Sequence, residues 1–218
     1  MSIEVHHIQT TRTARYYSLG SFEGEINELW FVLHGYGQRA EDFIRNFLPI
    51  AREDTLIIAP EALSRYYTRG FAGEVGASWM TREDRTSEIQ DYVRYLDNLY
   101  TEIKFNLKKS PEKIIAFGFS QGSPPVLRWQ AEGNSPAHEI VIWSGDVPRD
   151  LAFAKFKANT GKARKWLVYS ETDKFITPAI YTESQNLYLS NNIPFETLSF
   201  EGGHNIPDIP LKELRRKF

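Results

Sequence analysis

The stretch Lys113-Ile114-Ile115-Ala116-Phe117-Gly118-Phe119-Ser120-Gln121-Gly122 decides the fold. Its apolar run reads as a buried strand, and it ends in Gly-Phe-Ser-Gln-Gly, a Gly-x-Ser-x-Gly pattern. The segment that follows, Val126 to Ala131, reads as a helix. Strand, tight turn and helix form the setting in which a serine stands on a strained turn with its hydroxyl clear of the sheet. Gly118 and Gly122 leave room for such a turn, where a side chain would crowd neighbouring backbone. The helix behind Ser120 aims N–H groups and a partial positive charge at a developing anion. An ordinary turn with a capping serine has the same five residues, so the rest of the chain must decide.

A serine nucleophile needs a base, and the base needs an orienting acid. Where this elbow occurs, the chain order is Ser, then Asp or Glu, then His. Two histidines follow Ser120. His138 precedes the strand-like Glu139 to Trp143 and so lies at the wrong end of it. His204 follows the strand-like Pro194 to Phe200, in the turn Glu201-Gly202-Gly203-His204, and is the expected base. The acid is expected after the strand Lys165 to Ser170; Asp173 is preferred, with Glu171 and Asp146 as alternatives.

Upstream, Leu29 to Leu33 reads as a buried strand running into His34-Gly35-Tyr36-Gly37-Gln38. A His-Gly-x-Gly turn after a strand supplies the second arm of an oxyanion hole. The N–H groups of Tyr36 and Gln121 are its expected donors, with His34 holding the turn. Thr55 to Pro60 is a further short strand. Residues 61–80 show no period and are rich in glycine and aromatics, so an irregular wall or lid is expected, with Tyr66 and Trp79 foremost as substrate-lining residues. Arg65 and Arg69 in that loop read as solvated.

Residues 3–19 read as two short strands or a hairpin, and the adjacent His6 and His7 point to opposite faces there. Glu41 to Arg52 reads as an amphipathic helix that Pro49 kinks or shortens. Thr81 to Leu107 is the longest helix, with Ile89, Tyr92, Val93, Leu96, Leu99, Ile103 and Leu107 as its core stripe and a Thr81–Asp84 cap. Pro124 and Pro125 fit the first turn of the helix after Ser120. Helices near Asp150 to Ala158 and Pro178 to Ser190, and one at the C-terminus, complete an alternation of strands and helices. That alternation implies a mostly parallel sheet covered on both faces, with reactive groups at the strands' C-terminal ends.

The chain has 218 residues, within the range of one domain, and that is the expected organisation, residues 1–218. Its formal charge of −2 gives no support to nucleic-acid binding. It has no cysteine, which excludes disulfides and a cysteine nucleophile. The first residues lack a secretory signal pattern, and no apolar run approaches the roughly 18 residues that span a bilayer. A cytoplasmic monomer or homodimer is expected.

Several of these segments together resemble one family. His34-Gly35-Tyr36-Gly37, the strand end at Pro60, Ser78-Trp79, Gly118-Phe119-Ser120-Gln121-Gly122, Ser144-Gly145, Asp173 and Gly203-His204 are similar to the phospholipase/carboxylesterase family of small α/β-hydrolases, relatives of acyl-protein thioesterases. The likeness runs from about Leu29 to Pro207, and the elbow is its most specific part. It implies an α/β-hydrolase fold and a Ser120, His204 and Asp173 triad. It also implies Tyr36 and Gln121 as backbone donors, a small-molecule ester or thioester substrate, and no cofactor or metal. Gln38, Met80-Thr81 and Ser123-Pro124-Pro125 depart from the family pattern and bear on substrate identity. A peptidase or lipase on the same fold, or a ligand-binding protein with little turnover, are the alternative readings.

Overall fold

The computed structural model describes residues 2–218. Among them the chain runs through β1 (Tyr16–Leu19), β2 (Glu28–Leu33), α1 (Ala40–Phe43) with a 3-10 continuation (Ile44–Ile50), β3 (Thr55–Pro60), β4 (Ser64–Tyr67) and β5 (Val75–Ser78). It continues through α2 (Arg85–Asn106), β6 (Lys113–Phe119), a short 3-10 turn (Ser120–Gly122), α3 (Ser123–Glu132), β7 (Glu139–Trp143) and α4 (Phe153–Asn159). The last elements are β8 (Arg164–Ser170), α5 (Pro178–Ser190), β9 (Glu196–Phe200) and α6 (Asp208–Lys217).

Seven strands form one sheet in the order β1-β3-β2-β6-β7-β8-β9. Every neighbouring pair is parallel except β1 with β3. A sheet covered on both faces buries every residue of its inner strands, so they read as unbroken apolar runs. Along β2 the alternation is visible: Leu29, Phe31 and Leu33 pack with α2 and α3, whereas Trp30 and Val32 pack on the side of α1 and α6. From β2 the chain moves outward to β3 and then crosses to β6 on the other side. This reversal opens a crevice at the C-terminal ends of β2 and β6, where ligands bind in such sheets.

Four local expectations are corrected. Residues 3–19 contribute only β1; no strand forms before Tyr16 among the described residues, and His6 and His7 lie outside the sheet, His7 bonding Asp84 at 3.0 Å. The segment Glu41 to Arg52 is one turn of α-helix followed by a 3-10 run, because Pro49 has no N–H and crowds the preceding turn. Residues 61–80 hold the two-stranded hairpin β4–β5. Helix α2 starts at Arg85 behind Asp84, whose φ is 45°, and Thr81 pairs with Glu88 instead of Asp84.

Elsewhere the helices lie close to their expected positions. Tyr92, Val93, Leu96, Leu99 and Ile103 are the buried stripe of α2, with Ile89 and Leu107 packed at its margin. Helix α6 docks through Leu211 and Leu214, and Arg215 ties it to Thr55 Oγ1 at 2.8 Å and Glu28 at 2.9 Å. No described helix is long and apolar enough to cross a membrane.

Candidate active site

Ser120 directly follows β6 with a φ of 52°, a left-handed conformation that costs a side-chain-bearing residue energy. The turn closes because two glycines let backbone pass backbone. A Cβ on Gly118 would lie 2.5 Å from the Gly122 carbonyl, and one on Gly122 would lie 2.2 Å from the Leu33 carbonyl. Pro124 and Pro125 sit in the first turn of α3, as expected. Ser123 Oγ–H donates to the Gly118 carbonyl at 2.9 Å, so the unusual residue after the elbow satisfies the strand end.

The end of β2 meets this turn directly. A Cβ on Gly35 would lie 3.2 Å from Ser120 Cβ. The Gly35 N–H donates to Gln38 Oε1 at 2.8 Å, so Gln38 closes the turn through its side chain. His34 is buried; its Nδ1–H donates to the Gly35 carbonyl at 2.8 Å and its Nε2 accepts from the Ala62 N–H at 3.1 Å. Both partners suit a neutral ring, and burial pushes its pKa down to about 4, against the opposing Gly35 bond. His34 therefore holds the turn, as its sequence position suggests. Tyr36 is 62% exposed and its ring lies 5.5 Å from that of the half-buried Tyr66. Gln121 stands in the first turn after the strand, where a helical N–H has no intrahelical acceptor.

Asp173 and His204 are brought together from the ends of β8 and β9. His204 Nδ1 lies 2.7 Å from Asp173 Oδ2, and the other carboxylate oxygen accepts the N–H groups of Phe175 at 2.8 Å and Ile176 at 3.0 Å. Burial works to raise the Asp173 carboxyl, but His204 and those two N–H groups outweigh it and hold it below its ordinary value. The imidazole makes tilted contacts with the rings of Phe119 and Phe175, at 4.8 and 4.9 Å. Phe119 directly precedes Ser120, so the ring rests against the elbow strand, although Ser120 and His204 share no hydrogen bond in this structure. Gly202 has a φ of 150° in the turn before His204, and the Trp143 indole N–H holds the Asn205 carbonyl after it at 2.9 Å. The alternative acids Glu171 and Asp146 are exposed and not bonded to His204. His138 accepts the Ile114 N–H at the N-terminal end of β6, away from Ser120, at 3.0 Å.

Trp79, the residue expected to line the substrate pocket, lies inside the protein. It is 3% exposed, its indole N–H donates to the His34 carbonyl at 2.9 Å, and its ring lies 5.3 Å from the His34 ring. An indole needs both apolar cover and one acceptor, and the strand end supplies both. Sequence reasoning also missed the side chain of Gln121, which accepts the Trp79 N–H at 3.1 Å and donates to the Met80 carbonyl at 3.0 Å. It sews the hairpin to the elbow; its place in the motif was the only signal. Gly76 presses on the turn as well, since a Cβ there would lie 2.7 Å from the Gly37 carbonyl.

A cleft of about 640 Å³ opens beside these residues, with Met80, Pro124, Val147, Ile176 and Ile180 among its walls and Arg85, Arg128 and Asp150 also lining it. No cluster of metal-ligating side chains occurs among the described residues.

Solved structures share this fold. The carboxylesterase from Mesorhizobium loti matches with a TM-score of 0.74 at 17% identity, over 94% of this chain and 93% of that one. Esterase PE8 matches with a TM-score of 0.71 at 22% identity, over 94% and 98%. Acyl-protein thioesterase 2 of Zea mays matches with a TM-score of 0.69 at 17% identity, over 94% and 97%. Among curated proteins no sequence matches significantly. At the level of families, the phospholipase/carboxylesterase model matches residues 23–216. That span takes in both turns, Asp173 and His204, and the chain belongs to the phospholipase/carboxylesterase family.

Proposed function

We propose that the protein is a serine hydrolase that cleaves carboxylic esters or thioesters through an acyl-enzyme. The observation that carries this reading is the 2.7 Å Asp173–His204 bond, with the imidazole packed at a tilt against Phe119, the residue before the strained Ser120. Ser120 Oγ attacks the substrate carbonyl carbon as His204 Nε2 takes its proton. Asp173 keeps the Nδ1–H side of the ring fixed and stabilises the imidazolium. The new oxyanion accepts the N–H groups of Tyr36 and Gln121. As the tetrahedral centre collapses, His204 gives its proton to the departing alcohol or thiol. Water then attacks the acyl-serine with one proton passing to His204; as the second tetrahedral centre collapses, His204 returns that proton to Ser120 Oγ and the carboxylic acid leaves.

A fluorophosphonate is the direct test. Intact mass should rise by one adduct, peptide mapping should place it on Ser120, and Ser120→Ala should take none. Multiple turnovers of p-nitrophenyl acetate, absent from folded Ser120→Ala, should accompany labelling. A label elsewhere, or a single burst without turnover, overturns the reading.

A further inference from the structure

We propose that the cleft beside Ser120 receives the acyl chain and that an Arg85–Asp150–Arg128 ion bridge ends it for apolar chains, so that the substrates are short-chain acyl esters or thioesters. The inference rests on Ser120 being the nucleophile. Three contacts join the cleft to the reacting centre. Pro124 stands in the first helical turn behind Ser120, the Ile176 N–H donates to the Asp173 carboxylate at 3.0 Å, and the Met80 carbonyl accepts from Gln121 Nε2 at 3.0 Å. The leaving group must face His204, which protonates it. The acyl group is left the recess formed by α3, Met80 and the loops after β7 and β8.

Besides its apolar walls the cleft has charged ones: Asp146, the Arg149–Glu183 pair and the bridge itself. Arg128 is 3% exposed; it donates to the Tyr92 hydroxyl at 3.2 Å and to Asp150 Oδ1 at 2.9 Å. Arg85 grips both oxygens of the same carboxylate, at 2.5 and 2.8 Å. The bonds from Arg85, then those from Arg128, hold Asp150 far below the ordinary carboxylate range, so the bridge is charged at neutral pH. It spans α2, α3 and the loop after β7. An alkyl chain gains on the order of fourfold in kcat/KM for each methylene buried against the apolar part. Beyond it, the chain would strip water from three charges and return no hydrogen bond. Arg128 lies just over one helical turn beyond Pro124, and its side chain leans back toward the elbow, which leaves room for about four to six carbons.

The test is a p-nitrophenyl ester series from acetate to decanoate, below micelle-forming concentrations, on the wild type and on Arg85→Ala, Asp150→Asn and Arg85→Lys. Wild-type kcat/KM should climb to butyrate or hexanoate and fall at least about tenfold by decanoate. Arg85→Ala, which removes a half-buried side chain and leaves Asp150 paired with Arg128, should raise the decanoate-to-butyrate ratio about tenfold. Asp150→Asn should move it the same way, and Arg85→Lys should retain the wild-type ratio. Alkyl acetates with lengthening alcohols should show no break. A wild-type rate still climbing at decanoate, an unchanged ratio in both opening variants, or a break that follows the alcohol overturns the proposal while leaving the esterase reading intact. Loss of all hydrolysis together with an unlabelled Ser120 would remove the esterase reading itself.

Discussion

The indole N–H of Trp79 and the carbonyl of His34 meet at 2.9 Å, and this contact ties the segment after the hairpin to the turn that supplies the Tyr36 N–H. Trp79→Phe keeps the apolar bulk but leaves a buried carbonyl unpaired. The expected cost is about 2 kcal/mol, a fall in Tm of about 4–8 °C. Activity toward acetate and hexanoate should fall in the same proportion, measured on folded protein. A loss that grows with acyl length would move Trp79 to the pocket wall.

Gly76 is the other brace. A methyl group there would meet Gly37 O at 2.7 Å and Gly37 Cα at 2.9 Å, both backbone atoms that cannot swing aside. Gly76→Ala should displace the turn and lower kcat by about ten- to a thousandfold, the range for a misplaced oxyanion donor. KM should change much less. Gly161→Ala is the control, since its methyl meets only the Lys157 carbonyl at 3.4 Å.

The elbow stores strain at Ser120, whose φ is 52°. Glycine tolerates that conformation and alanine does not. Ser120→Gly should therefore be more stable than Ser120→Ala by about 1 kcal/mol, the reverse of the usual order. Both should be inactive. Urea midpoints of the two variants decide the matter, and alanine proving the more stable would mean that the turn is relaxed.

His34 should make folding pH-dependent. Its pKa is pushed down to about 4 by burial, against about 6.5 in an unfolded chain. Between these values the unfolded state binds more protons, so stability rises with pH and falls on acidification from pH 6.5 toward 4. Over that window this group alone should remove about 3 kcal/mol, at about 1.4 kcal/mol per pH unit. Urea unfolding at intervals from pH 7 to 4.5 should show the decline beginning near 6.5. A flat curve there would mean that His34 is charged in the folded protein.

The parts legible in the sequence are those set by local pattern. Strands β2, β3, β6, β7 and β8 lie under helices on both faces and so read as unbroken apolar runs. Helix α5 matches its expected span from Pro178 to Ser190 because a proline opens it. The hairpin was hidden for a physical reason. Strand β5 is Val75-Gly76-Ala77-Ser78, small because Gly37 lies against it, and small residues carry little strand signal. The bond from Trp79 to the His34 carbonyl is not legible either, since sequence does not say which carbonyl an indole will find. The Arg85–Asp150–Arg128 bridge joins three segments that are far apart in the chain, so no spacing rule reaches it.

The strand order has a kinetic meaning. The elbow stands on β6 at the centre of the sheet, whereas Asp173 and His204 follow β8 and β9, and β9 is an edge strand with one neighbour. Edge elements open locally at lower free energy than the centre. Under the proposed function, fraying at β9 would carry away His204, the proposed base, while Ser120 kept its turn. On that reading the chemistry would fail before the fold does, through brief and reversible forms that are native in outline and chemically silent.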